Sequence, residues 1–432
     1  MSLARQKSEP VCERCGRCLS VCPVYKELRV ETVSPRGRLD LIRAVKNQEF
    51  PPGQRYRSSI HSCLQCLGCT DACPKGVDAA GSIRAEKTRM AAQSKEAGLK
   101  LETWGLNLAL GHRTFLSRSA RILDRFLPSS RSVSEDDGPG PAIRHLPLFL
   151  PQALAGRPLP ELCLRQRADQ WPETIEPPAS RTVQGEVFLF TGCFFGFLDT
   201  RPLAAAIKVL GENGIRIRMP RSQACCGAPA SLSGHEGLLE KSARRNLAAL
   251  DGEIPVLTLC ATCGNTLKNE YPARFAHDPL HRRLSDRLSQ RVCDITEYMA
   301  GREHLVLGPV PLNRRAAVHL PCHLNRGMHA GPWLAVFLNR LPGLDILPLD
   351  GADECCGGGG LCALKNPELS ANLGRKKARA ILESRPDLVA APCPGCLVQI
   401  RAHLGMSGSR KGPGNRVRAV HPLELAARTW EN

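Results

Sequence analysis

Residues 12–23 read CERCGRCLSVCP and residues 63–74 read CLQCLGCTDACP. Each is a complete C-x2-C-x2-C-x3-C-P run: Cys12, Cys15, Cys18 and Cys22 before Pro23, then Cys63, Cys66, Cys69 and Cys73 before Pro74. This is ferredoxin spacing. Three cysteines two residues apart wrap one turn of backbone around a cubane, so sulfurs and amide N–H groups converge on it. The proline redirects the chain, and the fourth cysteine reaches the other cluster of the pair. The expected ligand sets are Cys12, Cys15, Cys18 and Cys73 for one [4Fe–4S] cluster, and Cys63, Cys66, Cys69 and Cys22 for the other. Zinc is the competing reading, but it favours two separated pairs or mixed Cys/His sets. Forty residues separate Cys22 from Cys63, with Leu39, Ile42 and Val45 at helical spacing. They predict a helical two-cluster domain over residues 1–100 rather than a compact βαβ one.

Working outward, ten of the remaining thirteen cysteines fall into two copies of one pattern. Cys193 is followed after 31 residues by Cys225-Cys226-Gly227, and after 33 more by Cys260-x2-Cys263. Cys322 is followed after 32 residues by Cys355-Cys356-Gly357, and after 36 more by Cys393-x2-Cys396. Each copy opens on an apolar run (VFLFTGC; AAVHLPC). Each has a second run before its Cys-Cys-Gly (GIRIRMP; LDILPLD) and a third before its last pair (IPVLTLC; DLVAAPC). Helical stretches such as Leu239 to Leu250 and Glu368 to Leu382 lie between. Strands alternating with helices predict short parallel sheets, with cysteines gathered at strand ends. The fold class expected is α+β and multidomain, a helical ferredoxin domain followed by duplicated α/β cysteine-rich domains. The boundaries are 101–184 for a helical connector and mobile linker, 185–305 for the first cysteine-rich domain and 314–430 for the second.

Five thiols per copy exceed what one zinc or one cubane needs. Adjacent Cys225 and Cys226 diverge, so they suit different irons of a larger, open cluster. Each copy is thus a candidate metal site: Cys193, Cys225, Cys226, Cys260 and Cys263 in the first, Cys322, Cys355, Cys356, Cys393 and Cys396 in the second. One or two additional noncubane clusters are expected, set against a copy retained only as scaffold.

Composition narrows the class. The chain has 432 residues, of which 21 are cysteine. A secreted disulfide scaffold would be short and carry a signal peptide, and no apolar segment precedes the first cysteines. The longest near-apolar stretch, Val187 to Leu198, is too short to cross a bilayer. A cytoplasmic chain with reduced, metal-holding thiols follows, with peripheral attachment to the inner face of the cell membrane as a compatible arrangement. Aromatics at 4% argue against reading nucleic acid by stacking. The formal charge of +18 ignores thiolates. A cubane held by four of them carries about −2 overall, so a nucleic-acid role is set aside, and docking on an acidic protein or anionic membrane is kept.

Cys163, Cys293 and Cys362 match no motif and read as small core residues. His319 and His323 flank Cys322 and are core or loop residues, or donors to a cluster sulfur. The run Cys355 to Gly360 lacks the Gly-Lys-Ser/Thr ending of a phosphate loop. Basic runs at Arg282-Arg283 and Arg375-Lys376-Lys377 read as solvated helix faces. Trp104 to Leu127 reads as a helix bridging two domains. Pro128 to Pro141 and Gly408 to Asn415 read as polar loops.

Two ferredoxin runs followed by two Cys-Cys-Gly repeats resemble the family of the glycolate oxidase iron–sulfur subunit, the iron–sulfur partners of D-lactate dehydrogenases and the C subunit of anaerobic glycerol-3-phosphate dehydrogenase. Heterodisulfide reductases share both modules. The resemblance covers nearly the whole chain outside about Leu101 to Gln184, and it extends to Ser34-Pro35-Arg36-Gly37-Arg38-Leu39 and to Cys73-Pro74-x-Gly76-Val77. It implies an oxidoreductase subunit that takes electrons from a partner FAD subunit oxidising glycolate or D-lactate and passes them to a quinone or other acceptor. No flavin or nicotinamide site is expected on this chain. Intact last pairs at Cys260/Cys263 and Cys393/Cys396 depart from many glycolate oxidase subunits. They lean toward D-lactate or heterodisulfide-type relatives, in which the cysteine-rich clusters would reduce a disulfide or quinone directly.

Overall fold

The computed structural model describes residues 11–93, 167–359, 362–406 and 417–431, with residues 107, 117–119 and 163. Most of the connector expected over 101–184 lies outside the described residues, including most of Trp104 to Leu127 and all of Pro128 to Pro141; so does Gly408 to Asn415.

Residues 11–93 fold without strands, into helices Arg17–Val21, Pro23–Leu28, Pro35–Lys46, Gln54–His61, Gly68–Asp71 and Ala79–Gln93. The helix Pro35–Lys46 shows how local chemistry builds this domain. Ser34 Oγ accepts the Gly37 N–H at 2.9 Å, and Pro35 occupies the first turn, where a missing N–H costs nothing. A Cβ on Gly37 would lie 2.1 Å from the Glu31 carbonyl oxygen, so only glycine fits. Arg38 is 1% exposed and donates to Ser59 O and Ser62 Oγ, both at 2.8 Å, which fastens this helix to Gln54–His61. Ile42 and Val45 close the core with Tyr56, Ile60, Ile83 and Met90. The Ser-Pro-Arg-Gly-Arg-Leu stretch is therefore a cap, a close approach and a buried cation in succession.

The rest of the chain forms two sheets. Strands β1 (Thr174–Ile175), β2 (Gly185–Phe190), β3 (Ile215–Arg218), β4 (Val256–Thr258) and β5 (Val292–Asp294) lie in the order β1-β3-β2-β4-β5. Strands β6 (Arg314–Val318), β7 (Leu344–Leu347), β8 (Leu388–Ala390) and β9 (Arg418–Val420) lie in the order β7-β6-β8-β9. All pairings are parallel except β1 with β3. Apart from β1 the orders are the same, with the first strand of each unit flanked by the second and third. Val187, Leu189, Ile215, Ile217, Val256 and Leu257 are fully buried, as expected of parallel strands covered by helices. The edge strand β1, two residues long, carries no periodicity that a sequence reading could detect.

The two units meet reciprocally. Helix Arg201–Glu212, after β2, packs on helix Pro422–Arg428, after β9. Helix Gly331–Asn339, after β6, packs on helix Ile295–Ala300, after β5. Corresponding surfaces are exchanged, as across a two-fold axis, and one apolar core runs through both units. At the joint Asp199, fully buried, lies 2.7 Å from Arg201 Nε and 2.7 Å from Arg401 Nη1 of the second unit. Burial alone would raise its carboxyl pKa; the two guanidiniums outweigh it and hold the group below the usual carboxylate range.

Replacing Arg401 with Met removes one of those partners while Arg201 stays, and should cost about 1.5–3 kcal/mol in denaturant unfolding. Because the folded carboxyl pKa is depressed, its stabilisation is complete above the unfolded value of about 3.9 and lost as pH falls through the lower folded value. The gap between the two proteins should hold at neutral pH and close only in the acid range below about pH 4.

Candidate functional site

None of the 21 cysteines is in a disulfide. In the N-terminal domain the two runs interlock. Cys22 caps helix Pro23–Leu28, its Sγ accepting the Tyr25 N–H at 3.5 Å, and it lies within electrostatic reach of Cys63, Cys66 and Cys69. The structure thus brings the last cysteine of the first run to the second. Cys12 and Cys18 are within reach of each other, and Cys18 of Cys69. An ion pair of 2.8 Å between Glu13 and Lys75 ties the start of the first run to the end of the second. Cys73 Sγ accepts the Val77 N–H at 3.4 Å. Arg14 and Gly16 in the first run, and Gln65 and Leu67 at the matching places in the second, have left-handed backbone. Such turns point successive N–H groups inward, the arrangement that receives anionic groups. Burial raises the thiol pKa of Cys18 and Cys22, and pushes that of Cys66 up to about 11.

The cysteine-rich units gather their thiols beyond the carboxyl ends of the strands. Cys193 follows β2 and Cys260 follows β4, on either side of the switch point where α/β sheets collect ligands; Cys322 and Cys393 stand likewise after β6 and β8. Cys193 Sγ and Cys225 Sγ are 3.6 Å apart. That is too long for a disulfide and close to the ~3.7 Å between two thiolates on a tetrahedral metal with bonds of about 2.3 Å. Cys226 faces Cys225 and Cys263, whose hydrogen bonds pull its thiol down to about 6. Adjacent Cys225 and Cys226 therefore serve different neighbours. In the second unit Cys356 is held low by Cys355 and Cys396, and Cys393 by Cys260 and Cys396. Burial raises Cys322. Backbone N–H groups turn to sulfur at Cys263 to Cys260, 3.4 Å, and at Gly357 to Cys355, 3.4 Å.

The glycine of each Cys-Cys-Gly has a physical reason. Gly227 and Gly357 have φ of +89° and +83°, and a Cβ would lie 2.8 Å from Leu239 Cδ1 or from the Ser370 carbonyl oxygen respectively. No other residue tolerates both constraints.

The two five-cysteine sets are not separate. Cys260 of the first and Cys393 of the second lie close enough to shift each other's thiols. The Ala261 N–H donates to Pro392 O at 3.1 Å and holds those loops together. The second set in turn adjoins the ferredoxin domain: Cys66 is within electrostatic reach of Cys322 and Cys355. His323, 6% exposed, clamps all three domains. Its Nε2 lies 2.9 Å from Gln65 O, and its Nδ1 3.0 Å from Thr262 Oγ1. Buried Lys87 adds a second clamp, donating to Cys63 O at 2.9 Å and Leu232 O at 3.3 Å. Spacing carried no signal for Lys87, for Arg38 or for the contact between sets.

The unmatched cysteines stay at the margin. Cys362 is buried with Cys22, Leu64, Leu369 and Leu373, Cys293 lies on β5, and Cys163 bridges to Asp199. Arg282 pairs with Asp286 at 2.8 Å on a helix face, as expected. Lys377 departs from expectation: it is 4% exposed and donates to Gly351 O, because helix Pro367–Glu383 turns that face against the loop before Cys355. Among the described residues no helix is long and apolar enough to cross a membrane.

Buried thiols crowded at these separations, unjoined and raising one another, fit a metal core that neutralises them. Comparisons with known proteins agree. A 4Fe-4S dicluster domain matches residues 11–77, and a cysteine-rich domain matches 187–268 and 316–401. An uncharacterized iron–sulfur protein of Methanocaldococcus jannaschii is 30% identical over 91% of this chain and 68% of its own length. A subunit of the fumarate reductase (CoM/CoB) of Methanothermobacter marburgensis is 28% identical over 96% and 71%. The probable glycolate oxidase iron–sulfur subunit of Bacillus subtilis is 27% identical over 96% and 92%.

The position of Cys22 gives a direct test. Cys22→Ser should diminish the EPR signal of the cluster held by Cys63, Cys66 and Cys69 and leave that of the first run. Damage confined to the first run would refute the crossed arrangement.

Proposed function

The chain belongs to the family of iron–sulfur proteins that join a 4Fe-4S dicluster domain to paired cysteine-rich domains, the family of the glycolate oxidase iron–sulfur subunit, and we propose that it is the electron-transfer subunit of a 2-hydroxy-acid dehydrogenase acting on glycolate or D-lactate. Substrate oxidation belongs on a partner FAD subunit, and the acceptor is a quinone or another carrier. Cys12, Cys15, Cys18 and Cys73 hold one [4Fe–4S] cluster, and Cys63, Cys66, Cys69 and Cys22 the other. The two five-cysteine sets hold one or two further, noncubane clusters. When bound, these groups supply one-electron carriers.

One observation carries the reading: the sets form an unbroken series. Cys18 lies within electrostatic reach of Cys69, Cys66 of Cys322 and Cys355, and Cys393 of Cys260. A series spanning all three domains suits conduction through the chain better than isolated structural metals. The protein's part is to fix those separations, exclude water and direct N–H groups at sulfur. The clamps of His323 and Lys87 hold the domains at the places where one set passes to the next. The reading puts the chain on the cytoplasmic side, with a peripheral membrane position open to it.

A second reading rests on a cleft of ≈ 280 Å³ between the ferredoxin domain and the second cysteine-rich unit, reaching Cys355 between Val21, Lys26, Arg326 and Lys377. It would admit a small oxidant to the second set. A disulfide there would take two electrons and two protons and leave as two thiols.

Iron analysis separates scaffold from redox centre. About 8 irons per chain would mean two cubanes alone; about 12 to 16 is expected here. The function itself is tested by mixing the anaerobic, oxidised protein with an FAD-containing glycolate or D-lactate dehydrogenase of the same organism and its substrate. Bleaching of the visible iron–sulfur absorbance should need all three components. Clusters that dithionite reduces but this mixture does not would overturn the reading. Thiol release from a disulfide by the reduced subunit alone would favour the cleft instead.

A further inference from the structure

The two cysteine-rich units share a thiol frame but differ three residues before its first cysteine. The first has Phe190 before Cys193, and the second has His319 before Cys322. Both side chains are 1% exposed. His319 extends the β6–β8 ladder, its backbone N–H donating to Ala390 O at 3.0 Å, so its ring is fixed at the sheet's switch point. Ring Nδ1 lies 3.1 Å from Ala352 O. A carbonyl oxygen only accepts, so Nδ1 carries the hydrogen, and in the neutral ring Nε2 presents its lone pair. Among the described residues that Nε2 is buried without a conventional hydrogen-bond partner, and the ring lies against the Cys356 thiol, which it helps to hold low. The ligating atoms of His319, Cys356 and Cys396 all lie within 4.8 Å of one another, and all three residues are buried.

An imidazole with one nitrogen tied to a backbone carbonyl and the other bare toward two thiols is the arrangement of a metal-bound histidine. We infer that His319 Nε2 is a metal ligand in the second cysteine-rich set, making that set a mixed nitrogen and sulfur site while the first remains all-thiolate. The inference rests on the reading that the second set holds iron. Buried Phe190 fills the equivalent space in the first unit and offers no donor atom. The two centres are therefore chemically unequal within one duplicated frame. Their electronic structures should differ accordingly, since exchanging sulfur for imidazole donors is one of the main ways a protein tunes an iron–sulfur centre.

The test uses the whole chain, loaded anaerobically, with and without 15N-labelled histidine. Pulsed EPR of the paramagnetic centres should show a directly coordinated 14N in the unlabelled protein, replaced by 15N on labelling. His319→Phe, which installs the residue of the first unit, should abolish that coupling, whereas His323→Gln should keep it. Absence of histidine nitrogen coupling in the parent, or its survival in His319→Phe, overturns the inference. Should His319→Phe fail to load its second set, the labelled parent and His323→Gln decide the matter on their own. Iron content read on the same samples separates the two failures. About 8 irons per chain would remove the premise that the second set is loaded; more iron without nitrogen coupling would remove the ligand alone.

Discussion

Thiols brought together in a dry interior and left unjoined oppose one another. Burial disfavours each thiolate, and every neighbour that ionises raises the next. Here Cys193, Cys263, Cys322, Cys355 and Cys396 are all driven up, while Cys226, Cys356 and Cys393 are held low by neighbouring thiols. A thiol driven up stays protonated and neutral, whereas a positive core placed among them would favour the thiolates. Other local features read as provisions for such a core: backbone N–H groups turned to sulfur, left-handed turns inside the ferredoxin runs, and glycines where Leu239 and Ser370 crowd the chain. Folding and metal loading are on this account one equilibrium.

Duplication converts that local device into an extended one. A single α/β unit gathers its thiols at one switch point. Two units exchanging helices across a pseudo-two-fold axis bring their switch points face to face, so Cys260 and Cys393, corresponding residues of the two copies, meet near the axis. The buried Asp199 with Arg201 and Arg401 ties the two units together at the same joint. The helical ferredoxin domain then docks so that Cys66 lies within electrostatic reach of Cys322 and Cys355 of the second set. Its fastenings, however, run to both: Lys87 and Arg84 to the first unit, His323 from the second.

Much of this was legible in the sequence, for identifiable reasons. Ligand spacing is set by covalent geometry, so the two ferredoxin runs and the two Cys-Cys-Gly repeats could be read directly. The central strands β2, β4 and β8 hold short continuous apolar runs, and β3 and β7 alternate apolar with charged residues, so these could be read as well. What could not be read depends on side chains meeting residues distant in sequence. Lys87 and Arg38 look like ordinary helix-surface cations, and Lys377 sat in a run that reads as solvated. The strand β1 is too short for a pattern. The contact between Cys260 and Cys393 follows from symmetry only once the reciprocal helix exchange is known.

Symmetry alone would give a scaffold with no preferred direction, and two of the places where the copies depart from it bear on the thiol sets. Phe190 and Phe194 of the first unit correspond to His319 and His323 of the second. His323 reaches out to Gln65, between two cysteines of the ferredoxin run, and back to Thr262 beside Cys393. His319 turns inward to Cys356 and Cys396. Both changes replace an aromatic hydrocarbon by an aromatic ring with donor and acceptor nitrogens, in buried positions where an unsatisfied polar atom is costly. Both occur in the copy that adjoins the ferredoxin domain. The apolar first copy keeps its thiols behind phenylalanine, at the end of the series. A duplicated frame thus has a near and a far end, and the two histidines stand at the near one.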